Sequence, residues 1–138
     1  MSTKRLEGCT ILVLEDEHLV AESIADGLAA SGAVVAGPFS AANDALAWLS
    51  NGHSINAAVL DVRLRGHTCF KVAEALASND VPIVFATAIE PSEIPAQFSA
   101  APVVPKPSGI KELLNALAEQ LPNGCAENGT SACTNLSV

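Results

Sequence analysis

Five short apolar runs punctuate the chain: TILVL (10–14), AVVAG (33–37), NAAVL (56–60), VPIVFA (81–86) and APVV (101–104). Each is unbroken rather than alternating, the pattern of strands buried on both faces of a parallel sheet. Stretches with helical spacing separate them. Val20, Ile24 and Leu28 share a face, and Gly32 stands where that helix should stop. Ser40 is placed to cap a helix carrying Leu46, Trp48 and Leu49 that ends near Gly52. Phe70, Ala73 and Leu76 mark a third helix, closed by Ser78-Asn79-Asp80. Pro91 and Pro95 permit only a short or irregular helix in EPSEIPAQFS. Ser108 should cap a last helix bearing Ile110, Leu113, Leu114, Leu117 and Leu121. The alternation predicts an α/β fold, a doubly wound five-stranded parallel sheet with helices on both faces.

With 138 residues the chain suffices for one domain, read as residues 8–121, followed by a polar tail over 122–138 expected to be mobile. A net charge of −8 and only seven Lys and Arg argue against nucleic acid and favour cationic partners, metal ions included. No apolar run approaches the roughly 20 residues of a membrane span, and MSTKRLEGCT lacks the apolar stretch of a secretory signal. Cys9, Cys69, Cys125 and Cys133 form no C-x-x-C pair. Reduced thiols in a cytoplasmic protein are expected.

Ligands bind such sheets outside the carboxyl ends of the strands. The residues just past the runs are Glu15 and Asp16, Asp61, Thr87 and Lys106. Acids often begin helices, Thr often ends a strand, and Lys before Pro is often a solvated loop residue. Here all four positions fall together, in strand-end order. Glu15, Asp16 and Asp61 supply hard oxygen ligands suited to Mg²⁺. The metal on one side and the Lys106 ammonium on the other provide the charge neutralisation that phosphoryl transfer needs. Thr87 can donate a hydrogen bond to a phosphoryl oxygen. Asp61, alone at the end of a central strand, is the best placed nucleophile for an acyl phosphate. Arg63 and Arg65 are either solvated or reach the phosphoryl group; solvation is the expectation. Glu17 should face solvent in the first helical turn, and His18, His53 and His67 should be surface residues.

In ILVLEDEHLV, VLDVRLRG, FAT and VPKPSG, over residues of about 8 to 121, the chain resembles a response-regulator receiver domain of the CheY-like, flavodoxin-like fold. The resemblance implies strand order 2-1-3-4-5 and phosphorylation of Asp61 by a sensor histidine kinase. It implies Mg²⁺ held by Glu15, Asp16, Asp61 and the backbone carbonyl of Arg63. Thr87 becomes the switch hydroxyl and Lys106 the phosphoryl contact, with Lys106–Pro107 cis. PIVFAT, LDVRLRG and FKVAEALASNDVP are similar to a stand-alone group with a Phe-Ala-Thr signature (FATGUY), which signals by protein contact or acts as a phosphate sink. On this reading the chain's catalysis is confined to its own phosphorylation and dephosphorylation, and its outlet is either a downstream protein target or a phosphate-sink role. Two departures stand out. Ala88 and Ile89 follow FAT in place of Gly and an aromatic, and Val103 stands where many receivers carry an aromatic. The competing readings are a haloacid-dehalogenase-like phosphatase and a phosphorylation-independent binding module. The phosphatase needs a second acid at position 63, which is Arg.

Overall fold

The computed structural model describes residues 6–106, 109–122 and 124–125. The chain runs β1 (Thr10–Leu14), α1 (His18–Ala30), β2 (Val34–Phe39), α2 (Ala42–Ser50) and β3 (Ala57–Leu60). A small hairpin follows, β4 (Arg63–Leu64) and β5 (His67–Thr68), then α3 (Phe70–Ala77), β6 (Ile83–Thr87), β7 (Val103–Pro105) and α4 (Ile110–Gln120). The main sheet is parallel, in the order β2-β1-β3-β6-β7. Counting only its five strands, that is the expected 2-1-3-4-5.

Period-two geometry explains why the runs are unbroken. Leu12 and Leu14 of β1 join Leu60, Phe85, Val72 and Leu76 in the core beneath α2 and α3. Ile11 and Val13 point the other way, joining Val59, Val84, Ile24, Leu28, Leu113 and Leu117 beneath α1 and α4. A strand covered on both faces has no solvent side on which to place polar residues. α1 and α4 meet at Gly27, where any Cβ would collide with the Ile110 side chain.

One irregularity shapes the upper edge of the sheet. β2 pairs with β1 in register through Leu12↔Ala36, then slips so that Leu14 faces Phe39. Gly37 makes the slip: its φ is +102°, and a Cβ there would lie 2.7 Å from the Phe39 nitrogen and 3.1 Å from the Val13 oxygen. The slip delivers the Phe39 carbonyl to the Glu15 N–H at 2.9 Å, which prolongs the ladder into the acidic segment.

Several local expectations change. Ser40 does not cap α2; Ala41 is the residue before the helix and makes no side-chain cap. The Ala42 N–H instead donates to His67 Nε2 at 3.1 Å. Ser108 lies outside the described residues, and Gly109 precedes α4. Pro107 is likewise outside them, so the expected cis bond falls there too; the cis bond among the described residues is Gly37–Pro38. Two 3₁₀ turns, Pro91–Glu93 and Ala96–Phe98, occupy the proline-bearing segment, because each proline removes a helical donor. The tail beyond Cys125 lies outside the described residues.

Leu6 is fully buried, and Cys9 is bonded to Cys125 with Cα atoms 5.0 Å apart. This corrects the reading of reduced thiols for that pair. The sequence separation is 116, which is why spacing motifs give no sign of it. Cys69 remains a free thiol, and burial, then the Asp61 charge, push its pKa up to about 12. Peptide mapping of unreduced protein should recover a Cys9–Cys125 crosslink. Its reduction should lower stability by up to about 5 kcal/mol on the chain-entropy account. Four free thiols in denaturant would contradict the pairing.

Candidate functional site

The ladder places the polar groups at or just beyond the carboxyl ends of β1, β3, β6 and β7. Asp61 N–H donates to the Leu14 carbonyl at 2.9 Å, and Lys106 N–H donates to the Thr87 carbonyl at 3.1 Å. These bonds tie the end of β1 to β3 and that of β6 to β7, and the Leu60↔Phe85 pairing joins the two pairs. The structure brings together Glu15, Asp16, Asp61 and Lys106, and it places Thr87 at the end of the neighbouring β6. Glu15, Asp61 and Thr87 are buried, and Asp16 is half-buried.

Carboxylate oxygens of Glu15, Asp16 and Asp61 lie within 4.8 Å of one another. The Lys106 ammonium sits 2.7 Å from Glu15 Oε1 and 3.0 Å from Asp61 Oδ2. Glu17, the residue just before α1 rather than part of its first turn, is exposed as expected, with its carboxylate 3.7 Å from the same ammonium. Burial raises the Glu15 pKa, a shift opposed by Lys106 and by the Glu17 N–H, and the nearby Asp61 adds to it. For Lys106, burial pulls the other way, but bonding to Glu15 and Asp61 outweighs it, and its pKa is raised. The raised pKa keeps the ammonium charged through neutral pH, and the stability that its charge contributes is lost as pH climbs through that raised value.

The acids fit a hard divalent cation. Glu15 Oε1 is buried, and among the described residues its close partner is the Lys106 ammonium at 2.7 Å. The donors are oxygens of three carboxylates, the set that suits Mg²⁺.

The two arginines behave differently. Arg63 pairs with Glu93 at 2.8 Å across exposed surface. Arg65 holds Asp16: its N–H donates to Asp16 Oδ2 at 2.8 Å, and its Nε lies 3.6 Å from the same oxygen. Sequence reading missed the clamp; its one signal is Gly66, at φ +78°, which turns the β4–β5 hairpin beside Arg65. His18, His53 and His67 are exposed, as expected. His53 stacks on Trp48 with ring centroids 4.2 Å apart. His67 is bonded through both ring nitrogens.

Residues 11–118 match the family model described as the response regulator receiver domain. The chain belongs to that family. The receiver is 38% identical to SdrG from Sphingomonas melonis Fr1, whose solution structure superposes with a TM-score of 0.71 over 88% of this chain and 99% of that one. A response regulator receiver protein from Sinorhizobium medicae WSM419 is 24% identical, with a TM-score of 0.73 over 85% and 97% of the two chains. The non-phosphorylated HemR receiver domain from Leptospira biflexa is 25% identical, with a TM-score of 0.67 over 82% and 94%. A search of curated proteins finds no match. Among the receiver's described residues, no helix is long and apolar enough to cross a membrane.

Replacing Lys106 with Met leaves the acids without their ammonium. Stability at about pH 7 should fall by about 2–3 kcal/mol in urea unfolding. The deficit should shrink as pH falls and Glu15, whose pKa burial raises, takes up its proton, and Mg²⁺ should restore part of it at neutral pH. A deficit independent of both pH and Mg²⁺ would show that the ammonium does not hold the acids.

Proposed function

We propose that this receiver serves as the phosphoacceptor of a two-component phosphorelay. On this reading it takes a phosphoryl group from a sensor histidine kinase onto Asp61 and passes the signal by protein contact or serves as a phosphate sink. The observation that carries the reading is the Lys106 ammonium held between Glu15 and Asp61, at 2.7 and 3.0 Å, beside the Asp16 carboxylate.

Glu15, Asp16, Asp61 and the backbone carbonyl of Arg63 are the proposed protein ligands of Mg²⁺. When bound, the ion neutralises charge on the acids and on a phosphoryl group. The buried Asp61 carboxylate attacks phosphorus, a bond to the donor's leaving group breaks, and an aspartyl phosphate forms. Lys106, already 3.0 Å from Asp61 Oδ2, stays to pair with the new charge. Asp61 and Lys106 act only on their own phosphoryl group, so no separate substrate is turned over. The phosphatase reading gains nothing: the side chain at 63 is an Arg paired with Glu93, not an acid beside Asp61.

Thr87 links this chemistry to a surface. Its Oγ1 accepts from the Ile89 N–H at 3.4 Å, a contact given up when the hydroxyl turns to a phosphoryl oxygen. Ile89 opens the segment that carries Glu93, the partner of Arg63, and ends at Phe98. Phe98 is buried against Phe85 and Phe70, with ring centroids 6.0 and 6.1 Å away. Half-buried Val103 belongs to the same cluster. The proposed switch is a rearrangement of 88–98 on this aromatic anchor, in place of an aromatic at Val103. The Phe-Ala-Thr subgroup is supported by PIVFAT itself, which ends at that hydroxyl.

Beryllofluoride with Mg²⁺ mimics the aspartyl phosphate. It should shift NMR signals around Asp61 and slow or speed amide exchange in 88–98, and Asp61→Asn should abolish both effects. Shifts at Asp61 without change in 88–98 would remove the switch segment; no shift anywhere would remove the phosphoacceptor.

A further inference from the structure

The hairpin that clamps Asp16 is too small to stand alone. β4 and β5 have two residues each, and pairs of that size are unstable in water unless something else holds them. Its base is closed by Cys69 N–H donating to the Val62 carbonyl at 3.0 Å. Its tip, where Arg65 meets Asp16, is held by His67. The Ala42 N–H at the start of α2 donates to His67 Nε2 at 3.1 Å, so that nitrogen carries the lone pair. The proton then lies on Nδ1, which donates to the Arg65 carbonyl at 2.8 Å. One imidazole thus ties the first turn of α2 to the residue whose own N–H holds Asp16 Oδ2 at 2.8 Å.

We infer that His67 is a positioning residue for the divalent-cation site: a strut that fixes the Arg65 main chain, and through it the Asp16 carboxylate. It touches neither the cation nor the phosphoryl group. This rests on the proposed ligand role of Asp16. The physical basis is that a metal ligand left free to rotate loses affinity, because binding must then order it. Ser40, which by sequence is the better cap of α2, leaves the first-turn donor to His67.

The strut is tested with His67→Gln and His67→Asn, neither of which can reproduce both ring contacts, and with His53→Ala as a control on another exposed imidazole. Mg²⁺ binding is measured by calorimetry well below each unfolding temperature. Phosphorylation by acetyl phosphate is followed against Mg²⁺ concentration. Both His67 variants should bind Mg²⁺ about threefold or more weakly, a smaller loss than the about tenfold or more seen when a group bonded directly to a ligand is removed. Their phosphorylation at saturating Mg²⁺ should stay close to wild type, and His53→Ala should bind as wild type does. Wild-type Mg²⁺ affinity in both His67 variants would overturn the strut and leave the phosphoacceptor reading intact. A lower maximal rate with unchanged Mg²⁺ affinity would overturn the strut in the same way. Wild-type protein that binds Mg²⁺ but gains no phosphate would instead remove the phosphoacceptor reading, while a weakened affinity in the variants would still support the strut.

Discussion

Three carboxylates brought within 4.8 Å of one another, two of them on buried residues, cannot all be ionised in a folded chain without a counter-charge. The ammonium of Lys106 supplies it, reaching over from the end of β7 to Glu15 and Asp61. Much of the molecule's upper edge follows from that requirement. The parallel ladder must set the ends of β1, β3, β6 and β7 in one row, and main-chain bonds from Asp61 to Leu14 and from Lys106 to Thr87, with the β3–β6 pairing between them, do so. β2 must yield at Gly37 so that Phe39 can hold the backbone of Glu15. Asp16, not paired to the ammonium, is restrained from the other side by Arg65. Lys106 and the exposed Arg65 guanidinium bring two positive charges to three carboxylates, which leaves the pocket electrostatically short, and this is the physical ground for expecting a divalent cation there.

The sheet was legible because burial on both faces leaves a mark that no other element leaves in so few residues. TILVL and NAAVL could be read as strands buried on both faces from their unbroken apolar runs, and the structure buries every residue of β3 and all but the first of β1. The acids and the lysine were legible for a related reason. A polar group immediately after such a run has nowhere to lie except on the strand-end edge. The strand order itself came only with the family resemblance, since periodicity does not say which strands are neighbours.

What escaped the sequence was contact between distant polar groups. Nothing local in RLRGHT announces that Arg65 will hold Asp16 or that His67 will reach the first turn of α2, because both partners come from other elements. Ser40 was the better local cap and lost to a tertiary one. The Cys9–Cys125 bond escaped for the same reason: it joins the start of β1 to the chain beyond α4. It closes the packed unit on the side away from the acidic pocket, so the two ends of the sheet are secured by different chemistry, covalent below and ionic above.

These arrangements converge on one atom pair, the Asp61 carboxylate and its ammonium neighbour. The most direct measurement is chemical. Protein treated with acetyl phosphate and Mg²⁺ is reduced with borohydride, which converts an acyl phosphate to an alcohol, and the modified residue is located by peptide mass spectrometry. Homoserine at position 61, absent when Mg²⁺ is chelated, is the predicted result. Homoserine at position 16, phosphate on a Ser or Thr, or no modification under conditions where Mg²⁺ binds, would contradict the account.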